Sequence, residues 1–130
     1  MHTSSEGFVD ANGVSLHYAL AGAGRSVVLL HELGGTLNSW DGVVLRLAEH
    51  FRVLRYDRIR TNMLHMLPKL RCPVMVIAGR HDTVRPHAGS AELAKKGPGA
   101  RFELIDDGGH FLPTQALGAL TALLEKFLPQ

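Results

Sequence analysis

Two short segments in the last third of the chain, each with the pattern of a strand, end in a turn that carries an ionisable residue. Val74–Ala78 is followed by Gly79 and then by Asp82, and Arg101–Ile105 is followed by a Gly-Gly pair and then by His110. Val74–Ala78 is a continuous apolar run rich in β-branched residues, a pattern typical of strands that are covered on both faces in a parallel sheet, and Arg101–Ile105 reads as a second such strand. We therefore predict two buried strands with a polar turn after each.

The segment between the two runs has a helical pattern. Pro86–Lys96 has Ala88, Ala91, Glu92 and Lys95 at helical spacing, and Gly97–Gly99 provides a stop signal. A strand–helix–strand crossover between parallel strands is right-handed, so the carboxyl ends of both strands lie at the same edge of the sheet. We therefore expect the side chains of Asp82 and His110 to meet.

Both turn motifs resemble those of the α/β-hydrolase family, and within it those of small esterases, enol-lactone hydrolases and cofactor-free haloperoxidases. Cys72–Asp82 resembles the family segment Cys-Pro-Val-x-Val-Ile-x-Gly-x-x-Asp, whose aspartate is the acid of the catalytic triad. Gly108–His110 resembles the Gly-Gly-His segment that carries the base. The resemblance implies that Asp82 and His110 are catalytic. The alternative for His110 is a turn residue that is satisfied by hydrogen bonds.

A Gly-rich loop earlier in the chain resembles the oxyanion-hole loop of the same family. The sequence His31-Glu-Leu-Gly-Gly35 follows an apolar run and precedes Trp40. The matching oxyanion donor would be the backbone N–H of Leu33, and a Gly-rich connector without function is the alternative. Trp40 has core packing as its alternative, and Phe111 has a core role at a helix entry. The resemblance implies oxyanion or substrate binding for His31, Leu33, Gly34, Trp40 and Phe111.

The serine nucleophile of the family is missing from this sequence. The family places it in a Gly-x-Ser-x-Gly elbow between a Tyr-Asp-Arg segment, here Tyr56–Arg58, and the Cys-Pro-Val segment. No Gly-x-Ser-x-Gly occurs in the 130 residues, and no serine lies between Arg58 and His81. The resemblance therefore implies a shortened form that lacks the elbow and the cap domain, with a deletion junction near residues 58–60.

The remaining patterns predict an α/β fold, with a mostly parallel, twisted sheet and helices on both faces. An Asn-Gly pair in Ala11–Gly13 indicates a β-hairpin, on whose polar side His17 is expected to be solvated. Helical periodicity covers Asn38–His50 and Leu112–Leu128. In the family's strand labels the order becomes about 1-2-4-3-7-8, within a single domain of residues 1–130.

Composition narrows the possible partners. The net charge of +2 is too small to indicate nucleic acid, and no stretch is long and apolar enough to span a membrane. No histidine stands at metal-ligand spacing, so neither a metal nor a cofactor is expected. The single cysteine, Cys72, suits a reducing compartment, and the polar segment Met1–Gly7 is unlike a signal peptide. We expect a cytoplasmic location.

Three hypotheses about function follow from these patterns. The first is an ester or lactone hydrolase by descent, which acts on a small molecule with weak or no hydrolysis because the nucleophile is absent. The second is a non-catalytic α/β scaffold that binds a ligand or a partner. The third is a deletion fragment that completes its sheet as a homodimer through strand exchange.

Overall fold

The chain forms two compact units in the computed structural model. The units are Met1–Arg60 and Thr61–Gln130, and the structure describes residues 4–11, 13–32, 35–57, 68–84 and 86–129. The predicted deletion junction at residues 58–60 lies outside the described residues. The assignment of residues 1–130 to a single domain stays a prediction.

The first unit contains a four-stranded sheet. Its strands are β1 (Ser4–Ala11), β2 (Val14–Ala21), β3 (Arg25–Leu30) and β4 (Phe51–Tyr56), in the order β1-β2-β4-β3. β1 and β4 both run antiparallel to β2, and β3 runs parallel to β4. The hairpin turn places Gly13 at φ 79°, a left-handed conformation that glycine adopts without strain. The predicted hairpin is confirmed.

Helical residues of the first unit pack on one face of this sheet. A 3-10 helix, Leu37–Trp40, leads into α1 (Asp41–Ala48), which contacts β2 and β4. The predicted helix over 38–50 thus begins as a 3-10 turn, whose first N–H groups are capped by the side chain of Thr36, which accepts the N–H of Asn38. The buried apolar side chains of β2, β3, β4 and α1 are Ala19, Leu29, Val43, Val44, Leu47, Ala48 and Val53.

The second unit is built on a strand–helix–strand crossover. β5 (Met75–Gly79) and β6 (Arg101–Ile105) are parallel neighbours, and α2 (His87–Lys96) contacts both strands. α3 (Leu112–Gln115) and α4 (Leu117–Phe127) follow. The single helix predicted over Leu112–Leu128 is thus two helices, because Ala116 leaves helical geometry at φ −144° and ψ 44°.

The observed strands agree with the predicted fold class. The predicted order 1-2-4-3 is the order of the four-stranded sheet, and the predicted pair 7-8 corresponds to β5 and β6. The described strands form two sheets, one in each unit. In the described part of the chain, no helix could cross a bilayer.

Candidate active site

The turns after β5 and β6 bring the predicted acid and base into contact. Nδ1 of His110 lies 2.8 Å from Oδ2 of Asp82, and the two side chains are only 7% and 10% exposed. The other oxygen of Asp82 accepts the backbone N–H of Val84 at 2.9 Å. A carboxylate only accepts hydrogen bonds, so Nδ1 of His110 carries the proton and Nε2 is the basic nitrogen of the neutral ring.

Backbone hydrogen bonds join the two turns. The N–H of Arg80 donates to the carbonyl of Ile105 at 3.0 Å, and the N–H of His81 donates to the carbonyl of Gly108 at 2.9 Å. At the surface, the guanidinium of Arg80 pairs with Asp106 at 2.7 Å. These bonds continue the β5–β6 ladder beyond the ends of the strands and fix the positions from which Asp82 and His110 project.

Close approach of the two turns requires glycine at the end of β5. A Cβ atom on Gly79 would overlap the carbonyl oxygens of Gly108 and Gly109. These are backbone atoms, so a side chain at this position could be accommodated only by moving the turn that carries His110. Gly79 therefore permits the Asp82–His110 contact.

Phe111 is the third predicted site residue in this unit. Its ring stands edge-on to the His110 ring, with centroids 5.0 Å apart and an interplanar angle of 77°. Its backbone N–H donates to Oε1 of Gln115 at 3.1 Å, and its side chain is exposed. The structure thus brings Asp82, His110 and Phe111 together, and the roles assigned to them stay predictions.

The Gly-rich loop of the first unit is only partly described. Leu33 and Gly34, the predicted oxyanion residues, lie outside the described residues. His31 is buried, and its Nδ1 donates to the carbonyl oxygen of Glu32 at 2.7 Å. The carboxylate of Glu32 accepts a hydrogen bond from the hydroxyl of Ser39 at 2.8 Å. This bond holds the negative charge of Glu32 beside the 3-10 helix.

Trp40, the predicted aromatic of the same loop, is partly buried at the end of the 3-10 helix. Its Nε1 is buried and has no hydrogen-bond partner among the described residues. His31 and Trp40 belong to the first unit, whereas Asp82, His110 and Phe111 belong to the second. The assignment of Trp40 to substrate binding stays a prediction.

A second histidine–carboxylate cluster was missed by sequence reasoning. His17 is not simply solvated, because its Nδ1 lies 3.0 Å from Oδ2 of Asp57 and its Nε2 lies 2.7 Å from Oε1 of Glu6. The hydrogen bonds to Asp57 and then to Glu6 raise the pKa of His17. Partial burial acts to raise the pKa of Asp57, but hydrogen bonds from Leu37 and His17 outweigh it and leave that pKa below its ordinary value.

The described residues include histidine, cysteine and carboxylate side chains, the residue types that hold metal ions. In these ranges, no group of three or more histidine, cysteine, aspartate or glutamate side chains is placed to hold a metal ion. The cluster around His17 contains one imidazole and two carboxylates, and each ring nitrogen faces one of the carboxylates directly. Its contacts are those of ion pairs.

Comparison with known families matches most of the chain to one of them. Residues 22–119 match the family described as serine hydrolase (FSH1). The matched range includes the Gly-rich loop and the turns that carry Asp82 and His110.

Two characterised relatives share part of the sequence. A segment of 67 residues is 39% identical to a poly(3-hydroxyalkanoate) depolymerase of Ectopseudomonas oleovorans and covers 52% of this chain and 23% of that protein. A segment of 57 residues is 40% identical to a 2-hydroxy-6-oxo-6-(2'-aminophenyl)hexa-2,4-dienoic acid hydrolase of Metapseudomonas resinovorans, covering 42% and 20%. The chain therefore spans about a fifth of the length of these relatives.

The fold is similar to that of solved hydrolases. The enol-lactonase from Burkholderia xenovorans LB400 aligns with a TM-score of 0.74 and 16% sequence identity, over 95% of this chain and 100% of that chain. At this identity the similarity establishes the fold and nothing further. The chain has the α/β-hydrolase fold.

Proposed function

This chain belongs to the serine hydrolase (FSH1) family, and from that membership we propose that it is an ester or lactone hydrolase by descent with weak hydrolysis at most. The observation that supports this proposal is the 2.8 Å contact between Nδ1 of His110 and Oδ2 of Asp82. A nearly buried carboxylate that fixes the tautomer of an imidazole is the acid–base half of a catalytic triad.

In the proposed reaction, His110 acts as a general base on water. Nε2 removes a proton from a water molecule as its oxygen attacks the carbonyl carbon of the ester or lactone, and Asp82 stabilises the imidazolium that forms. The tetrahedral oxyanion then collapses, the bond to the leaving oxygen breaks, and His110 returns the proton to that oxygen.

The expected rate is low because the sequence offers no serine in an elbow. A general base contributes about 10²- to 10⁴-fold, and covalent catalysis requires a nucleophile that the base can activate. In the stretch between Arg58 and His81, the only hydroxyl or thiol side chains are Thr61 and Cys72. Hydrolysis is therefore expected only for activated esters, whose leaving groups need little assistance.

The substrate class is proposed from the relatives and from the Asp82–His110 pair together. The compared proteins are named as a depolymerase of poly(3-hydroxyalkanoate) and as an enol-lactonase. We propose a small ester or lactone as the class of substrate, because water attack on an acyl carbon is the chemistry that the Asp82–His110 pair can assist. We propose the cytoplasm as the compartment, since Cys72 is a free thiol.

The test is hydrolysis of p-nitrophenyl acetate by the purified chain and by two histidine variants. His110→Ala removes the base, whereas His81→Ala removes an exposed imidazole from the neighbouring turn. We expect the rate above background to fall to background in His110→Ala and to persist in His81→Ala. Equal rates in all three proteins would remove the case for catalysis.

A non-catalytic scaffold is the second candidate, and the absence of a Gly-x-Ser-x-Gly elbow from the sequence favours it. In that case the Asp82–His110 pair is a structural contact, and ester hydrolysis stays at background in every variant. Binding of butyric acid, a short-chain carboxylate, measured by calorimetry, would then distinguish a ligand-binding protein from an inert one.

A further inference from the structure

His17 is held between two carboxylates on different segments of the first unit. Its Nδ1 faces Asp57 at 3.0 Å and its Nε2 faces Glu6 at 2.7 Å. Ionised carboxylates can only accept hydrogen bonds, so both nitrogens must donate, which only the protonated imidazolium can do. The ring of Phe8 stacks on the imidazole with centroids 5.0 Å apart, an arrangement that favours the cation.

The Asp57 side of this cluster is fixed by further bonds. The backbone N–H of Asp57 donates to the carbonyl of His17 at 3.0 Å, and Oδ1 of Asp57 accepts the N–H of Leu37 at 2.7 Å. The carbonyl of Leu37 accepts a hydrogen bond from Arg55 at 3.1 Å. Both backbone groups of Leu37, the first residue of the 3-10 helix, are thus tied to the end of β4.

The Glu6 side is held less firmly. Glu6 lies on β1, which is an edge strand of the sheet. Its side chain is 64% exposed, against 38% for that of Asp57. The hydrogen bond to His17 therefore joins the edge strand to the residues that hold the start of the 3-10 helix.

We propose that Glu6, His17 and Asp57 form a proton-dependent clasp, which ties β1 to the anchored Asp57–Leu37 contact and opens on the Glu6 side when His17 loses its proton. A neutral imidazole donates from one nitrogen only, so its other nitrogen would present a lone pair to a carboxylate. The neutral ring of His17 keeps its hydrogen bond to Asp57, because the Asp57 carboxylate is also held by the N–H of Leu37. Glu6 swings into solvent.

The charged groups around the cluster support this order of events. Glu6 and Asp10 lie on the face of β1 that carries the contact with His17. Asp57 follows β4. His31 follows β3, and its charge contributes to lowering the pKa of Asp57. Arg55 is paired with Asp41 of α1 and with the carbonyl of Leu37. The carboxylates that contact His17 both favour its cation, and they raise its pKa above the ordinary 6.5.

The sign of the pH effect follows from that shift. The folded state binds the His17 proton more tightly than the unfolded state does. The stabilisation is therefore fully present below about the ordinary pKa, and it is lost as pH rises through the raised pKa of the folded protein. The clasp is closed in mildly acidic solution and open in alkaline solution, independently of any hydrolase activity.

The first test is a titration of His17 by imidazole ¹⁵N NMR in the full chain, beside Glu6→Gln and Asp10→Asn. Asp10→Asn is the matched control, because it removes an exposed carboxylate from the same strand face. We expect a pKa above the ordinary value in the wild type, a lower one in Glu6→Gln, and one close to wild type in Asp10→Asn. A wild-type pKa at the ordinary value, or one that Glu6→Gln leaves unchanged, overturns the proposal.

The second test follows amide hydrogen exchange, corrected for the intrinsic rate at each pH. Exposed ion pairs are weak, so protection of the β1 amides should fall only about two- to fivefold as His17 deprotonates. His17→Gln should show no step with pH. The Leu37 amide should keep its protection throughout, because Asp57 still accepts it, and a parallel loss at Leu37 or an absent step in β1 would contradict the proposal.

Discussion

Asp82 and His110 stand 2.8 Å apart, Oδ2 to Nδ1, although they lie on separate turns, and both side chains are nearly buried. The low exposure limits competition from water, so the hydrogen bond fixes both the tautomer and the orientation of the ring. Support comes from the β5–β6 ladder and from the backbone bonds that extend it. The first two predictions concern this pair.

Asp82→Asn should lower any His110-dependent ester hydrolysis by about 10²-fold or more, because the amide no longer fixes the reactive tautomer or stabilises the imidazolium. Asp107→Asn is the matched control, since Asp107 is an exposed carboxylate in the turn before His110. Initial rates with p-nitrophenyl acetate provide the measurement. A rate in Asp82→Asn that equals the rate in Asp107→Asn contradicts a catalytic role for the aspartate.

Gly79→Ala should destabilise the protein by about 1–3 kcal/mol, because the new methyl group overlaps two backbone carbonyl oxygens in the facing turn. Gly89→Ala is the opposite case. Gly89 lies in α2 with open space around a Cβ atom, so alanine should stabilise by about 0.5–1 kcal/mol. Urea denaturation of both variants gives the two signs, and equal midpoints would show that the close approach at Gly79 is not present in solution.

Asp57→Asn should flatten the acid side of the stability profile. The folded-state pKa of Asp57 lies below its ordinary value of 3.8, so its stabilisation is present above that value and is lost as pH falls through the lowered pKa. Asparagine has no such titration. Urea denaturation between pH 2 and pH 5 should show a smaller acid loss in Asp57→Asn than in the wild type or in Asp10→Asn. An acid loss of the same size in all three proteins would refute the assignment.

The hypothesis of a strand-exchange homodimer predicts that Val28→Lys reduces self-association of the chain. Val28 is exposed on β3, an edge strand of the four-stranded sheet, and a charge on such a strand opposes pairing with a second chain. Leu45→Lys is the control, because Leu45 is an exposed leucine on α1. Light scattering across a concentration series should show less dimer in Val28→Lys only. A wild-type monomer at every concentration would rule out the proposed strand-exchange homodimer.

The second unit was largely predictable because its signals are local. Apolar runs, a helical pattern and glycine stops specified β5, α2 and β6, and the handedness of the crossover then placed Asp82 beside His110. The break at Ala116 was not predicted, since the apolar periodicity continues through it. A change of backbone conformation at one alanine leaves no mark in such a pattern.

The cluster around His17 could not be predicted in the same way. Its partners are 11 and 40 positions away, on β1 and after β4, and the register of two strand pairs must be known before they can be placed together. Alternation along β2 placed His17 on the more polar side. It could not show that acidic groups from two other segments converge there.

The acid and the base are kept together by the route of the backbone from β5 through α2 to β6. Their separation therefore does not depend on a nucleophile, and natural selection on the reaction is not needed to preserve it. An imidazole–carboxylate pair held in this way persists for as long as the crossover itself remains stable. Such a pair is then a starting point from which a new hydroxyl or thiol, introduced nearby by a single mutation, could restore covalent chemistry.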